Sequence, residues 1–194
     1  MIIVITPEVV VEKETELINE LFQEGLNLLH VRKPFINTEV MRDFIQKINS
    51  EFHSQLVLHS HYDLAKEFKI SRLHFREVDR QNGLFQAFRD KIISTSVHDI
   101  ETFNELGAEW EYSFISPVFP SISKKGYGES SNILNDLKRR ENSKVKLIAL
   151  GGINENNSHE VFDNNINGVA LLGAIWESKE PIQVFKKCRQ NVLS

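Results

Sequence analysis

Short runs of apolar, mostly β-branched residues recur along the chain, and each is followed by a stretch with helical spacing. The strands predicted in this way cover 2–6, 26–31, 55–58, 72–75, 91–94, 111–115, 145–150 and 168–172. After the first strand, Leu17, Ile18, Leu21 and Phe22 form one apolar helical face, with Gly25 placed as a C-cap. The next helix carries Val40, Met41, Phe44, Ile45 and Ile48 behind an N-cap at Asn37 or Thr38. A further helix runs from Ile100 to Leu106, ending at Gly107, and the last begins near Pro181, a favoured first-turn residue. Buried strands alternating with helices indicate a parallel sheet with crossover connections. Eight such units of about 24 residues predict one domain over 1–194, an α/β fold of the (β/α)8 TIM-barrel type. A doubly wound open sheet would normally place a glycine-rich phosphate turn after its first strand, where this chain has Ile5-Thr6-Pro7-Glu8.

In such a barrel the chemistry sits at the C-terminal ends of the strands, and phosphate is usually held after strands seven and eight. Those two strands run into Gly151-Gly152 and Gly173, each ahead of a predicted helix. Glycine there lets an anion approach the backbone, and the helix start supplies N–H donors. Strand two ends in His30-Val31-Arg32-Lys33-Pro34, so His30 and Arg32 share a face while Lys33 points the other way. Strand three leads to His59-Ser60-His61, strand four through His74 and Glu77 to Asp79, and strand five to Ser96-Val97-His98. The segment after strand six contains Ser121, Ser123 and Lys124, and its Gly126 and Gly128 suit a lid over 116–131. Arg32, Lys124, Ser96, Ser121, Ser123 and the three glycines are thus expected around one mouth, a donor set suited to phosphate and diphosphate. His59 and His61 match a zinc pair in residue type only, with no third ligand evident from spacing.

The formal net charge of −4, with no basic stripe, gives no footing for a nucleic-acid binder. The single cysteine, Cys188, excludes an intramolecular disulfide and a thiol cluster for metal, and its expected place is half-buried in a helix. Met1–Thr6 is apolar but too short for a membrane span and lacks a basic flank. These features predict a cytoplasmic protein with small-molecule partners and no membrane partner. Apolar positions on the outer helices cannot be sorted between core and interface, which leaves a homo-oligomer open.

Taken in order, the strand-end residues resemble the thiamine phosphate synthase/TenI family over essentially the whole chain. Ser116-Pro117-Val118-Phe119-Pro120-Ser121-Ile122-Ser123-Lys124 is similar to that family's Gly-Pro-(Ile/Val)-(Tyr/Phe)-x-Thr-x-Thr-Lys. Leu150-Gly151-Gly152-Ile153, Gly168–Ile175, Ser96-Val97-His98, His30-Val31-Arg32 and His59–Ala65 match further family motifs in the family's order. The resemblance implies thiamine biosynthesis: hydroxymethylpyrimidine diphosphate and thiazole phosphate are joined with Mg2+, and diphosphate is released. By analogy Arg32, Ser96 and Lys124 would act catalytically on the leaving diphosphate. Ser121, Ser123 and the backbone of Gly151, Gly152 and Gly173 would hold the thiazole phosphate. His30 and His59 would contact substrate, and Asp79 aligns with a metal-binding acid.

Departures from the family pattern gather at the diphosphate end. Ser60 stands where the family has a metal-binding aspartate, which weakens the expectation of Mg2+, an ion that favours carboxylate oxygens. His59 replaces the family's asparagine, and Pro34 replaces the synthase lysine. His30 favours the TenI thiazole tautomerase branch, but that branch's catalytic histidine falls at Ser116. Three readings follow: a synthase, a tautomerase, or a weakly active barrel that binds thiamine phosphates.

Overall fold

Eight parallel strands close in chain order into a barrel, with β1 pairing both β2 and β8. They are β1 (Ile2–Ile5), β2 (Leu28–Val31), β3 (Leu56–Leu58), β4 (Arg72–Phe75), β5 (Ile92–Val97), β6 (Trp110–Ile115), β7 (Lys146–Leu150) and β8 (Gly168–Leu171). The intervening helices are α1 (Glu14–Gln23), α2 (Thr38–Gln46), α3 (Leu64–Glu67), α4 (Glu77–Gln81), α5 (Ile100–Asn104), α6 (Ile133–Asp136), α7 (Ser158–Phe162) and α8 (Gly173–Trp176). A final helix, α9 (Pro181–Leu193), completes the chain of elements. This computed structural model describes residues 1–120, 128, 131–162, 164 and 166–193. Ser121, Ser123, Lys124, Gly126 and most of the expected lid lie outside the described residues.

The barrel follows from strands that bury both faces, which is why they read as near-continuous apolar runs. One parity of side chains, including Ile2, Val4, Leu29, Val31, Leu56 and Leu58, packs outward under the helices. The other parity, including Ile3, Ile5, Leu28, Val57, Phe114, Ile148 and Ala170, fills the barrel interior. Asn37 is the N-cap of α2, its Oδ1 accepting the Val40 N–H at 2.9 Å. Gly25 takes φ +92° just past α1, as expected of a glycine closing a helix.

Two expectations needed correction. The fifth strand runs from Ile92 to Val97, not 91–94, so Ser96 lies within it. Ser94 and Ser96 face the polar centre of the barrel, and this inward polarity hides the strand in an apolar-run reading. Cys188 is fully buried on α9 rather than half-buried. No helix among the described residues is long and apolar enough to cross a membrane.

Candidate active site

Strands β2 to β6 bring a continuous polar chain to the centre of the barrel. His30 is turned inward two residues after Leu28, in register with Ile5 on one side and Val57 on the other. Its Nδ1 lies 2.7 Å from His59 Nε2 and its Nε2 lies 2.7 Å from the Tyr112 hydroxyl, 82 residues away in the chain. His74 sits between two hydroxyls, with Nδ1 2.9 Å from Ser94 Oγ and Nε2 3.0 Å from Ser96 Oγ. The His59 ring stacks on His74 at 4.2 Å between centroids and 24° between planes. Tyr62 ties the strand ends together, its hydroxyl donating to the carbonyls of His59 at 3.1 Å and His74 at 2.9 Å.

Ring nitrogens of His30, His59 and His74 lie within 4.8 Å of one another, the spacing of a possible metal triad. Imidazole lone pairs lie in the ring plane, however, and the two stacked rings hold theirs in nearly parallel planes, a poor arrangement for meeting at one ion. The nitrogens of His30 and His74 are also engaged in hydrogen bonds, as is His59 Nε2. The arrangement is a satisfied hydrogen-bond network.

Burial keeps all three imidazoles neutral. It pushes His30 and His59 well below the ordinary histidine value and lowers His74 to about 3. His74 and Arg72 lower His30 further, His74, His30, Arg32 and Arg76 lower His59, and Arg32 lowers His74. The unfolded chain therefore takes up these protons first. Stability from the cluster is full above about pH 6.5 and falls with decreasing pH, by up to about 1.4 kcal/mol per pH unit for each imidazole. For His74 the decline continues to about 3, where the folded form protonates as well. His74→Gln is expected to flatten the profile of urea midpoints between about pH 6.5 and 4.5 relative to wild type. Parallel profiles would contradict this assignment.

Around the mouth, three described ion pairs stand at the strand ends: Arg32–Glu8, Arg76–Asp79 and Arg80–Glu77. Arg32 follows β2, and its Nη1 lies 2.6 Å from Glu8 Oε1. Asp79, in the first turn of α4, holds Arg76 by two bonds, Nε to Oδ2 at 2.8 Å and Nη2 to Oδ1 at 3.1 Å. These bonds hold its carboxyl below the usual aspartate range. Glu77 pairs with Arg80 at 3.2 Å, and Ser60 Oγ lies 2.9 Å from His61 Nδ1. Both Arg32 and Arg76 act electrostatically on His59, while Arg32 and Asp79 act on His74.

Across the barrel, Gly151 and Gly152 have φ of +101° and +65°. A Cβ on Gly152 would lie 2.2 Å from the Pro120 carbonyl oxygen, and one on Gly151 would lie 2.9 Å from Pro117 Cα. Their open faces thus make room for the chain's own 117–120 segment. Val118 and Phe119 donate backbone N–H bonds to Leu150 and Gly151 at 3.0 and 3.1 Å.

A family model described as thiamine monophosphate synthase matches residues 1–175. The chain belongs to the thiamine monophosphate synthase family. It is 26% identical over 184 residues to a thiamine-phosphate synthase of Clostridium tetani, covering 90% of this chain and 85% of that one. A Listeria monocytogenes thiamine-phosphate synthase is 29% identical over 151 residues, 74% of this chain and 70% of its own. Among solved structures, the thiamine phosphate pyrophosphorylase of Bacteroides thetaiotaomicron superposes with a TM-score of 0.79 at 26% identity, covering 98% of this chain and 96% of that one. The Pyrococcus furiosus pyrophosphorylase shares the fold, with a TM-score of 0.82 at 20% identity over 99% of this chain and 95% of its own.

Within this member of the family, the sequence-derived residues separate into groups. His30, His59 and Ser96 join the central network through bonds to one another or to His74. Arg32 and Asp79 stand on the rim beside it, while Gly151, Gly152 and Gly173 follow β7 and β8. Sequence reasoning left out Tyr112 and Arg76 and gave His74 no role. Period-two parity could have found them: Tyr112 shares the inward face with Phe114, and His74 and Arg76 repeat the spacing of His30 and Arg32.

The donors for Mg2+ do not fit a site built on two carboxylates. Ser60 supplies only a neutral hydroxyl, and both Asp79 oxygens already accept from Arg76.

Proposed function

We propose that this chain joins hydroxymethylpyrimidine diphosphate to thiazole phosphate, forming thiamine phosphate and releasing diphosphate. One observation carries the reading. Arg32, a forked donor for diphosphate, stands within electrostatic reach of the neutral His59–His74 stack. In the first step the bond from the pyrimidine methylene carbon to the diphosphate oxygen breaks, and the electron pair leaves with the oxygen. Arg32 would stabilise the charge developing there, with Ser96 and Lys124 as further donors. The methylene carbon becomes a cation, and neutral imidazoles beneath it add no opposing charge. The thiazole nitrogen lone pair then forms the new C–N bond. Ser121, Ser123 and the backbone of Gly151, Gly152 and Gly173 would hold the thiazole phosphate so that this nitrogen faces the cation. A cytoplasmic location belongs to the same proposal and is supported by the single buried free thiol, Cys188.

The test is single-turnover formation of thiamine phosphate from the two precursors. The expected result is product and diphosphate in equal amounts. Binding of thiazole phosphate without any product would overturn the synthase reading.

A second reading, a thiazole-phosphate tautomerase, is favoured by a different observation. His98 Nδ1 lies 2.8 Å from the Ser116 carbonyl oxygen, so Nδ1 donates there and Nε2 is the ring nitrogen left for other chemistry. A base at that place could move a proton on the thiazole where the residue at 116 cannot. Metal-free deuterium exchange on thiazole phosphate, lost in His98→Ala, would select this reading.

A further inference from the structure

Two strands present the same pair of residues to the mouth. β2 ends His30-Val31-Arg32 and β4 ends His74-Phe75-Arg76, so each places an inward histidine and then an arginine two residues further out. β3 lies between them in the barrel, with His59 just past its end. The backbones carrying Arg32 and Arg76 are therefore two strand spacings apart, about 10 Å. Both guanidiniums act on the His59 imidazole between them.

Resting on the synthase reading, we propose that the diphosphate end of this site binds its ligand without a divalent cation, held between the Arg32 and Arg76 guanidiniums. Mg2+ takes near-octahedral oxygen donors and gives up its water reluctantly, so it needs free carboxylate oxygen. Here Asp79 accepts two bonds from the Arg76 guanidinium, one on each carboxylate oxygen. Both oxygens of the carboxylate are thereby engaged. Glu77 and Glu8 are paired with Arg80 and Arg32.

The Arg76–Asp79 pair is also polarised. The Asp79 side chain is 16% exposed and the Arg76 side chain 68%, so the carboxylate lies beneath and the guanidinium faces outward. Two of its N–H groups are used by Asp79. The others remain directed away from Asp79, a planar fork suited to phosphate oxygens. Asp79 thus becomes a positioning residue for Arg76.

Calorimetry with inorganic diphosphate in EDTA tests this directly. Wild type is expected to bind without metal, and Arg76→Gln to bind at least about tenfold more weakly, the loss of one charge-assisted contact. Arg76→Lys, which keeps the charge but not the fork, should fall between them. Unchanged thiazole-phosphate binding in each variant shows that the barrel has folded. Ser60→Asp, which adds a carboxylate after β3, the strand next to the one that leads to Asp79, should weaken binding in EDTA and make it respond to Mg2+. Diphosphate binding that requires Mg2+ in wild type, or that is indifferent to Arg76→Gln, overturns the proposal, as does no binding at all. Single turnover with and without EDTA separates the two readings. Product only with Mg2+ rejects metal independence but keeps the synthase, and no product under either condition rejects the synthase.

Discussion

Glu14→Ala is expected to lower the unfolding free energy by about 3–5 kcal/mol, because it leaves a buried ammonium without its counter-ion. Lys33 and Glu14 have side chains 0% and 1% exposed, with Nζ 2.7 Å from Oε1. The ammonium donates to Oε2 at 2.8 Å and to the Val9 carbonyl at 2.7 Å, and it lies 5.2 Å from the centre of the Phe44 ring. The Val11 N–H donates to the same carboxylate at 3.1 Å. Burial raises the Glu14 carboxyl and lowers the Lys33 ammonium, while their mutual bond opposes both shifts. The pair is thus balanced only while both partners are present. Replacing both, as Lys33→Met with Glu14→Leu, is expected to recover most of the loss, since apolar groups of similar volume need no compensation. Urea unfolding followed by circular dichroism checks this through the midpoints of the two single variants and the double variant. A single variant within about 1 kcal/mol of wild type would show that the ammonium escapes to water, contrary to its position.

Arg32→Ala is expected to reduce kcat/KM for thiamine phosphate formation by about 10²–10³, the usual cost of removing one donor from a developing oxyanion. Its stability cost is expected to stay below about 1 kcal/mol, because the Arg32–Glu8 pair is only half-buried. The backbone at Arg32 is fixed independently of its side chain: its N–H donates to Thr6 Oγ1 at 2.8 Å, and the Thr6 N–H donates to the His30 carbonyl at 2.9 Å. Under the proposed role of Arg32, Glu8 would compete with diphosphate for the guanidinium, so Glu8→Gln should tighten diphosphate binding. Rapid-quench rates and thermal melts on the same preparations separate chemistry from folding. Turnover within about threefold of wild type in Arg32→Ala would remove Arg32 from the mechanism.

The barrel was legible because its strands are apolar on both faces and the helices between them keep their own period. Of the two N-caps read for the second helix the structure uses Asn37, and Gly25 closed the preceding one. His30 was legible as sharing a strand face with Arg32 because parity along a strand is a local property, whereas its place and that of Ser96 are the barrel centre and not the mouth. Gly151 and Gly152 were recognised as sites of close approach, but sequence alone could not say that the approaching group is the chain's own Pro117–Pro120 segment.

What the sequence determined by itself is therefore the order of strands and helices and, on β2, the face that His30 shares with Arg32. Tertiary structure decided the partners. Lys33 points away from Arg32 by strand parity, yet only the packing of α1 against the first loop supplies Glu14 to meet it. Asp79 was expected to be a metal acid and is held by Arg76, a choice made by the turn that leads from β4 into α4. His30 meets Tyr112 from β6, four strands away around the barrel, because closure turns both side chains into the same interior. Alternation fixes the side of a strand on which a residue lies. Which inward residues then touch depends on register and curvature, and these exist only once the sheet has closed.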